Sequence, residues 1–494
     1  MKLCTKHIFV GVVTLVFILS GCSNISLGSN QAFKTDLETE MPSVDEITLT
    51  EDKPSIRIVS DTFRNESKRF DVMIVDWILE FKKAYKVDVI WECLPENGNG
   101  RDEAIDRLRT ELMANKGPDV LLLACDNVTK TSLLIQDVNQ AMHNGIFADI
   151  SEYYDADVEL GQESLNPTIM DAGVVNNARY VLPLRYNFPV AYVDVDQFES
   201  EGLNTDIFDS GIISLMDEII QSENRDVAWS AMLAYIRMPF TLNFFPNLLD
   251  YGNQKVLITQ DELVEYMKKY QAMRILQGNG QGPLQTDLGE YFRDEKSSVQ
   301  PYWATSGFCM LIDDLEAAIH NTAMAKAMGV NMEMVPLSAN DGSLVADVTY
   351  YGAVSAGCKN PELAYEFLRY LLTENFQWEK DNDVIVGPLD TTLGREGYPV
   401  RIKGSVQALA IGLNNQLLGH EKNQKKKELQ LNDMTDNDVP LLRAEIDKVR
   451  FSIPLELELE ESIRKKVDAT TTEDQMIVIA EEWLHDLEWH LYEG

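Results

Sequence analysis

The sequence predicts an α/β protein, because strand-like and helix-like segments alternate along its first part. Between residues 55 and 123 they follow the order strand, helix, strand, helix, strand, which is typical of parallel strands joined by right-handed helical crossovers. The third strand, residues 120–123, is apolar at every position, as expected for a strand buried on both faces of a sheet. A further strand, turn and helix at residues 350–372 extend the same pattern.

The first 22 residues predict a targeting segment. Two lysines precede an apolar run at residues 8–19, which small residues follow; this is the pattern of a secretory signal, and the run is short for a membrane span. Residues 19–22, Leu-Ser-Gly-Cys, resemble the bacterial lipobox, which implies that Cys22 is lipidated and becomes the first residue of the mature chain. The alternative is an ordinary signal peptide with an incidental cysteine. Residues 23–53 are polar and lack periodicity, so they predict a flexible tether.

Composition predicts a globular body that follows this tether. The chain has 494 residues, of which 45% are hydrophobic, enough for two domains with a sizeable core. The formal net charge is −37, and a field of that sign repels nucleic acid and anionic lipid. Nucleic acid is therefore not expected as a partner, whereas a neutral solute is compatible with this charge.

The cysteines indicate neither a metal site nor a disulfide framework. Cleavage would remove Cys4 and lipidation would use Cys22, which leaves Cys93, Cys125, Cys309 and Cys358. Their wide spacing fits neither a zinc motif nor a regular set of bridges. Isolated buried thiols are the expected state.

The segments of the body are assigned in order from apolar periodicity and from turn residues. Residues 70–85 carry apolar side chains at helical spacing between strands at 55–59 and 87–91. A second helix, residues 105–112, ends before Gly117-Pro118. Later strands are expected at 180–184, 190–193 and 330–335, and later helices at 212–221, 262–276 and 476–487.

The helix at residues 359–372 has the clearest start signal in the chain. Asn360 can cap the first free N–H groups, and Pro361 suits the first helical position, where no N–H is needed. Glu362 then lies in the first turn, where the helix dipole favours negative charge. An apolar stripe follows at helical spacing, formed by Leu363, Ala364, Phe367, Leu368, Leu371 and Leu372.

Sequence motifs of common enzymes were not found, and no enzyme, cofactor or metal is expected. The six histidines are scattered, without an H-E-x-x-H pair, and the G-x-S-x-G elbow and the P-loop are absent. Residues 155–159 begin like a calcium loop. However, Leu160 stands where that loop needs Gly, and Asn166 stands where it needs Glu.

Several segments together resemble the extracellular solute-binding proteins of sugar-type ABC importers. The first is Gly352-Ala-Val-Ser followed by Lys359-Asn-Pro-Glu-Leu-Ala; the others are Gly-Pro-Asp-Val at 117–120, Asn-Gly-Ile-Phe-Ala-Asp-Ile at 144–150 and the charged turn at 292–299. The resemblance covers nearly the whole chain and rests on the order and spacing of these motifs. One departure is the strand at 190–194, where the family usually has Tyr-Asn and this chain has Tyr-Val-Asp.

This resemblance implies a fold of two α/β lobes, the type II arrangement of periplasmic binding proteins, with three inter-lobe crossings. The crossings are expected near Pro183, near Pro301 and at residues 336–350. The implied first lobe comprises residues 54–183 and 302–345, and the second lobe comprises residues 184–301 and 346–494.

The resemblance also implies a function. A monomeric receptor, lipid-anchored on the outer face of the cell membrane of a Gram-positive bacterium, would capture a sugar or oligosaccharide between its lobes. It would then deliver this small-molecule solute to ABC permease subunits. The alternative is a surface lipoprotein with the same fold that acts as a sensor or scaffold without transport.

A ligand site is expected between the lobes, at strand ends and beside the crossings. The candidates are the residues that follow strands or lie at crossings, namely Phe63, Asp126, Tyr186, Trp229, Trp303 and Tyr351. Some of the aromatic rings would stack on a sugar face, and Asp126 would accept hydrogen bonds from hydroxyl groups. Trp303 is the first choice, because a rigid aromatic at a crossing can contact both ligand and partner lobe. The alternative for each residue is an ordinary core or surface position.

Overall fold

The computed structural model describes residues 54–61, 68–95, 100–125, 132–200, 206, 208, 211–221, 245, 247–277, 309–312, 331–373, 380–381, 384–385, 397–401, 445–468 and 470–492. No helix within these ranges combines the length and the apolar character that crossing a membrane would need.

Sixteen strands lie within the described ranges. In chain order they are β1 (Ser55–Ser60), β2 (Asp88–Cys93), β3 (Val120–Ala124), β4 (Val174–Val175), β5 (Ala178–Arg179), β6 (Val181–Asn187), β7 (Val190–Asp194), β8 (Leu249–Asp250), β9 (Lys255–Val256), β10 (Cys309–Ile312), β11 (Met332–Pro336), β12 (Val345–Val354), β13 (Lys380–Asp381), β14 (Val384–Ile385), β15 (Tyr398–Pro399) and β16 (Lys448–Arg450).

The described helices are α1 (Lys68–Tyr85), α2 (Arg101–Met113), α3 (Val138–His143), α4 (Ser151–Ala156), α5 (Pro167–Asp171), α6 (Val195–Ser200), α7 (Ile212–Gln221), α8 (Gln260–Gln277), α9 (Pro361–Tyr370), α10 (Pro454–Lys466) and α11 (Glu473–Tyr492), with a 3-10 turn at Gln162–Ser164. The predicted start of α9 is confirmed, since the Asn360 side chain accepts from the Leu363 N–H at 3.2 Å and Pro361 is the first helical residue. Asp137 and Asn166 cap α3 and α5 in the same way.

The larger sheet has the strand order β15-β6-β12-β3-β1-β2, with β16 also paired to β12. β1 is parallel to both β2 and β3, which confirms the parallel unit predicted for residues 55–123. β12 runs antiparallel to both β3 and β6. All five residues of β3 are buried, as expected for a strand covered on both faces.

A smaller, antiparallel sheet has the order β10-β7-β11. The chain passes from the larger sheet to the smaller one between β6 and β7, and it returns between β11 and β12. It leaves the larger sheet again after β16, through residues 451–453, and continues as α10 and α11.

Strand pairing differs from the expected lobe division in two places. β10 and β11, within residues 302–345, pair with β7 in the smaller sheet. β12 pairs with β3 in the larger sheet, although all of its residues except the first belong to the range 346–494 expected for the second lobe. The first crossing, expected near Pro183, follows the end of β6, the strand that contains Pro183. The crossing expected near Pro301 lies outside the described residues.

The buried hydrophobic side chains form three clusters. Two clusters of buried side chains cover the two faces of the larger sheet, and a third joins α7, α8, α10 and α11. Here the larger sheet with α1 to α5 and α9 is called the first lobe. The smaller sheet with α7, α8, α10 and α11 is called the second lobe.

Candidate functional site

The strand ends that face the crossings define the candidate site. β1, β3 and β6 point in one direction and β12 in the other, so the carboxyl ends of the first three lie beside the beginning of β12. Two of the described crossings, after β6 and before β12, lie at this same edge. β16 runs parallel to β12, so its carboxyl end points the other way. In α/β proteins, ligands bind outside the carboxyl ends of the strands, so this edge is the expected floor of a cleft.

Two of the predicted ligand residues, Tyr186 and Tyr351, lie in the described part of the larger sheet. Tyr186 is 6% exposed and packs edge-to-face against Tyr398 at 5.9 Å between ring centroids. Tyr351 is 1% exposed and packs against Phe451 on the other face of the sheet. The structure therefore places both in the core of the first lobe, on opposite faces, and does not bring them together.

The other predicted residues, Cys22, Phe63, Asp126, Trp229 and Trp303, lie outside the described residues. The two strands that precede Phe63 and Asp126 are described, however. β1 and β3 pair in parallel, with Ser60 opposite Leu122, so they end side by side at the cleft edge. The strand-end reasoning behind these two candidates is consistent with that pairing.

The hydroxyl of Tyr351 is buried and has no hydrogen-bond partner among the described residues. Burial raises the pKa of Tyr351 well above its usual range, and the charges of Cys125, Asp61 and Asp137 raise it further. Asp61 and Cys125 directly follow β1 and β3, and Asp137 caps α3. The Tyr351 ring itself packs against Phe147 and Phe451 in the hydrophobic core.

A buried ion pair fixes the end of β1. The guanidinium of Arg101 holds both carboxylate oxygens of Asp61, at 2.8 and 2.5 Å, and both side chains are less than 10% exposed. Arg101 also donates to the carbonyl oxygens of Ser132 and Pro95. A bidentate arginine gives this contact a defined geometry, so it holds three loops together at the cleft edge.

A second buried arginine lies where β16 leaves the larger sheet. Arg450 is bonded to Asp347 of β12 at 2.6 Å and to Glu456 of α10 at 3.2 Å, and it donates to the carbonyl of Phe245 at 3.4 Å. The hydroxyl of Ser452 donates to the same Asp347 oxygen at 3.1 Å. Arg450 therefore links a strand of the first lobe to a helix and a loop of the second.

Burial raises the pKa of Glu456 to about 7. Arg450 opposes this shift, but Asp347, which is closer to that guanidinium, adds to it. The pKa of Glu456 is raised despite its ion pair because Arg450 is shared between two buried carboxylates. The ionised form of Glu456 is therefore only partly compensated.

Stability should depend on pH through Glu456. The folded state holds its proton more tightly than the unfolded chain, where the pKa is near 4.5. The free energy of unfolding should therefore fall, by on the order of 3 kcal/mol, as pH rises from about 4.5 to about 7. Urea unfolding at several pH values measures this. Glu456→Gln should flatten the dependence, and an equally steep dependence in that variant would contradict the assignment.

Sequence reasoning missed Asp61, Arg101 and Arg450. In so acidic a chain a single carboxylate or arginine carries little signal, and the partners Asp347 and Arg450 are 103 residues apart. The one usable signal was the position of Asp61 directly after a strand.

Comparison with known protein families and structures identifies the family to which the fold belongs. The family model described as bacterial extracellular solute-binding protein matches residues 71–378, which is more than half of the chain. No curated protein sequence matches the chain.

Among solved structures, the galacto-N-biose/lacto-N-biose I-binding protein of an ABC transporter from Bifidobacterium longum, in complex with lacto-N-biose, has a TM-score of 0.50. It is 13% identical and covers 89% of this chain and 98% of its own. At this identity the similarity shows the fold alone, which is two-lobed and periplasmic-binding-protein-like.

Two further structures give lower scores. An extracellular solute-binding protein family 1 member from Alicyclobacillus acidocaldarius has a TM-score of 0.46 and 14% identity, over 89% of this chain and 99% of its own. A periplasmic oligogalacturonide binding protein from Yersinia enterocolitica has a TM-score of 0.46 and 13% identity, over 88% of this chain and 100% of its own.

Proposed function

We propose that this chain, which belongs to the bacterial extracellular solute-binding proteins, binds a sugar or oligosaccharide between its two lobes and delivers it to an ABC permease. The observation that carries the proposal is the family match over residues 71–378. The two sheets support it, because the chain crosses between them at the carboxyl edge of the larger sheet. In this proposal the protein is a monomer and catalyses no reaction.

A sugar ligand would require a particular chemistry of the cleft. Sugars present C–H faces and many hydroxyl groups, so their sites need aromatic rings and polar groups in fixed positions. We propose that Phe63, Trp229 and Trp303 supply rings and that Asp126 accepts hydroxyl hydrogen bonds. Tyr186 and Tyr351, buried in the described part of the first lobe, would support this surface from behind.

Thermal unfolding of the mature protein in the presence of mono- and oligosaccharides tests the proposal. A ligand at about 100 times its Kd should stabilise the folded protein by about 2.7 kcal/mol, which is measurable as a rise in Tm. A screen in which no saccharide shifts Tm, while the protein unfolds cooperatively, would overturn the sugar assignment.

Trp303→Ala should weaken binding of the saccharide that the screen identifies. Loss of one stacked aromatic ring removes a large contact area, so we expect Kd to rise by roughly tenfold or more, as measured by calorimetry. Trp489→Ala is the matched control, because Trp489 is half exposed on α11 and outside the proposed cleft. Equal affinities in the two variants would remove Trp303 from the site.

The proposal places the protein on the outer face of the cell membrane, anchored by lipid on Cys22. Cys22→Ala should abolish incorporation of labelled fatty acid and move the protein from the membrane to the soluble fraction, since the anchor chains supply the membrane affinity. Cys4→Ala, within the segment to be removed, should behave like the wild type. Unchanged labelling of Cys22→Ala would show that the anchor is elsewhere.

A further inference from the structure

A polar contact that lies near Glu456, beside the third chain crossing, also joins the two lobes. One carboxylate oxygen of Asp137 accepts a hydrogen bond from the backbone N–H of Gln140 and so caps α3. The other accepts from the hydroxyl of Tyr251 and from Nε2 of His490, the latter at 2.7 Å. The side-chain amide of Gln140 donates to the carbonyl of His490 at 3.0 Å.

The members of this contact come from both lobes. α3 packs through Val138 and Met142 into a core cluster of the larger sheet. Tyr251, between β8 and β9, and the helix α11, which carries His490, pack in the cluster of the second lobe. The ring of His143, at the end of α3, also stacks with the Tyr251 ring, with 6.1 Å between centroids.

Because the Asp137 carboxylate is buried, this contact favours the lobe arrangement in which its hydrogen-bond donors are in place. The side chain of Asp137 is 1% exposed, so its carboxylate depends on these donors for compensation. A buried carboxylate that loses donors carries an uncompensated charge. Any relative motion of the lobes that separates α3 from Tyr251 and His490 must break these hydrogen bonds.

We propose that Asp137, Tyr251 and His490 form an inter-lobe clasp that holds the lobes in one arrangement and so sets the affinity for the ligand. The inference rests on the proposed function, since a ligand that binds between the lobes is coupled to their relative position. An interaction made in one arrangement shifts the population toward it, by the difference in free energy between arrangements. None of the three residues needs to touch the ligand.

Two substitutions weaken the clasp without removing its scaffold. Tyr251→Phe deletes one hydroxyl and keeps the ring that stacks on His143. Asp137→Asn keeps an oxygen that can cap α3 but removes the charge that faces His490. Tyr365→Phe is the matched control, because its hydroxyl donates to Asp157 at 3.0 Å within the first lobe.

Single-molecule energy transfer on the full chain without added sugar tests the clasp. Dyes on non-natural ketone residues at positions 113 and 275 would report the distance between the lobes, since Met113 on α2 and Ile275 on α8 are exposed. Loss of one hydrogen bond should change the ratio of lobe arrangements by about 2- to 12-fold. We expect a shifted or broadened distribution in Tyr251→Phe and Asp137→Asn, and the wild-type distribution in Tyr365→Phe.

Distributions that coincide in all four proteins would overturn the clasp, as would an equal shift in Tyr365→Phe. The Kd for a saccharide found in the thermal screen should change in the same direction in both clasp variants. If no saccharide binds any protein, the proposed function fails, whereas the distances measured without sugar still decide whether the clasp exists.

Discussion

Replacing Arg450 with Met should lower the free energy of unfolding by about 3–5 kcal/mol, because it leaves two buried carboxylates without their shared cation. The Arg450 side chain is 4% exposed, and those of Asp347 and Glu456 are 13% and 10% exposed. Met fills a similar volume, so the loss reports on charge more than on packing. Urea unfolding at pH 8, where Glu456 is ionised, should show the largest difference from the wild type.

Arg107→Met is the matched control for that experiment. Arg107 also contacts two carboxylates, those of Glu92 and Glu111, but its side chain is 44% exposed. Exposed ion pairs contribute about 0–1 kcal/mol, so this variant should remain close to the wild type. Similar losses in the two variants, or a loss below 1 kcal/mol in Arg450→Met, would contradict the view that Arg450 stabilises the junction.

Local signals allowed much of the first lobe to be predicted. Asn360 and Pro361 predicted the start of helix α9, and both have the predicted roles. The parallel unit of β1, β2 and β3 follows from alternating elements and an apolar third strand. Each of these signals lies within a few residues of the structure it specifies, which is why sequence alone was sufficient.

The division of the strands between the two lobes depends on pairing between distant segments, which local sequence signals do not predict. β12 is apolar at most of its buried positions, and this fits a central strand in either sheet. Its place between β3 and β6 depends on pairing with residues more than 150 positions earlier. The division expected from the resemblance differs from the pairing of β11 with β7 and of β12 with β3.

The location of the candidate site at strand ends was predictable from the sequence, but the hydrogen-bond and ion-pair partners of its residues were not. Strand ends suggested Phe63 and Asp126, and the preceding strands do end together. The charged groups that organise the edge were not predictable, because Asp61 and Arg101 are 40 residues apart and Asp137 and His490 are 353 apart. A carboxylate is identifiable as structural only when its burial and its donor are both known.

Gly173→Ala should destabilise the protein by about 3 kcal/mol, because a Cβ atom at this position would lie 1.9 Å from the backbone oxygen of Val181. The Gly173 carbonyl also accepts hydrogen bonds from the N–H groups of Tyr180 and Val181, so the backbone cannot retreat without loosening the start of β6. Every residue of β6 is buried, and a shift there would disturb the strand that leads to the first crossing.

Gly252→Ala is the control, since its nearest neighbour is a side-chain oxygen of Asp250 at 3.5 Å, and it should change stability by less than about 1 kcal/mol. Thermal and urea unfolding of both variants measure the difference, and equal stabilities would show that the chain at Gly173 can relax.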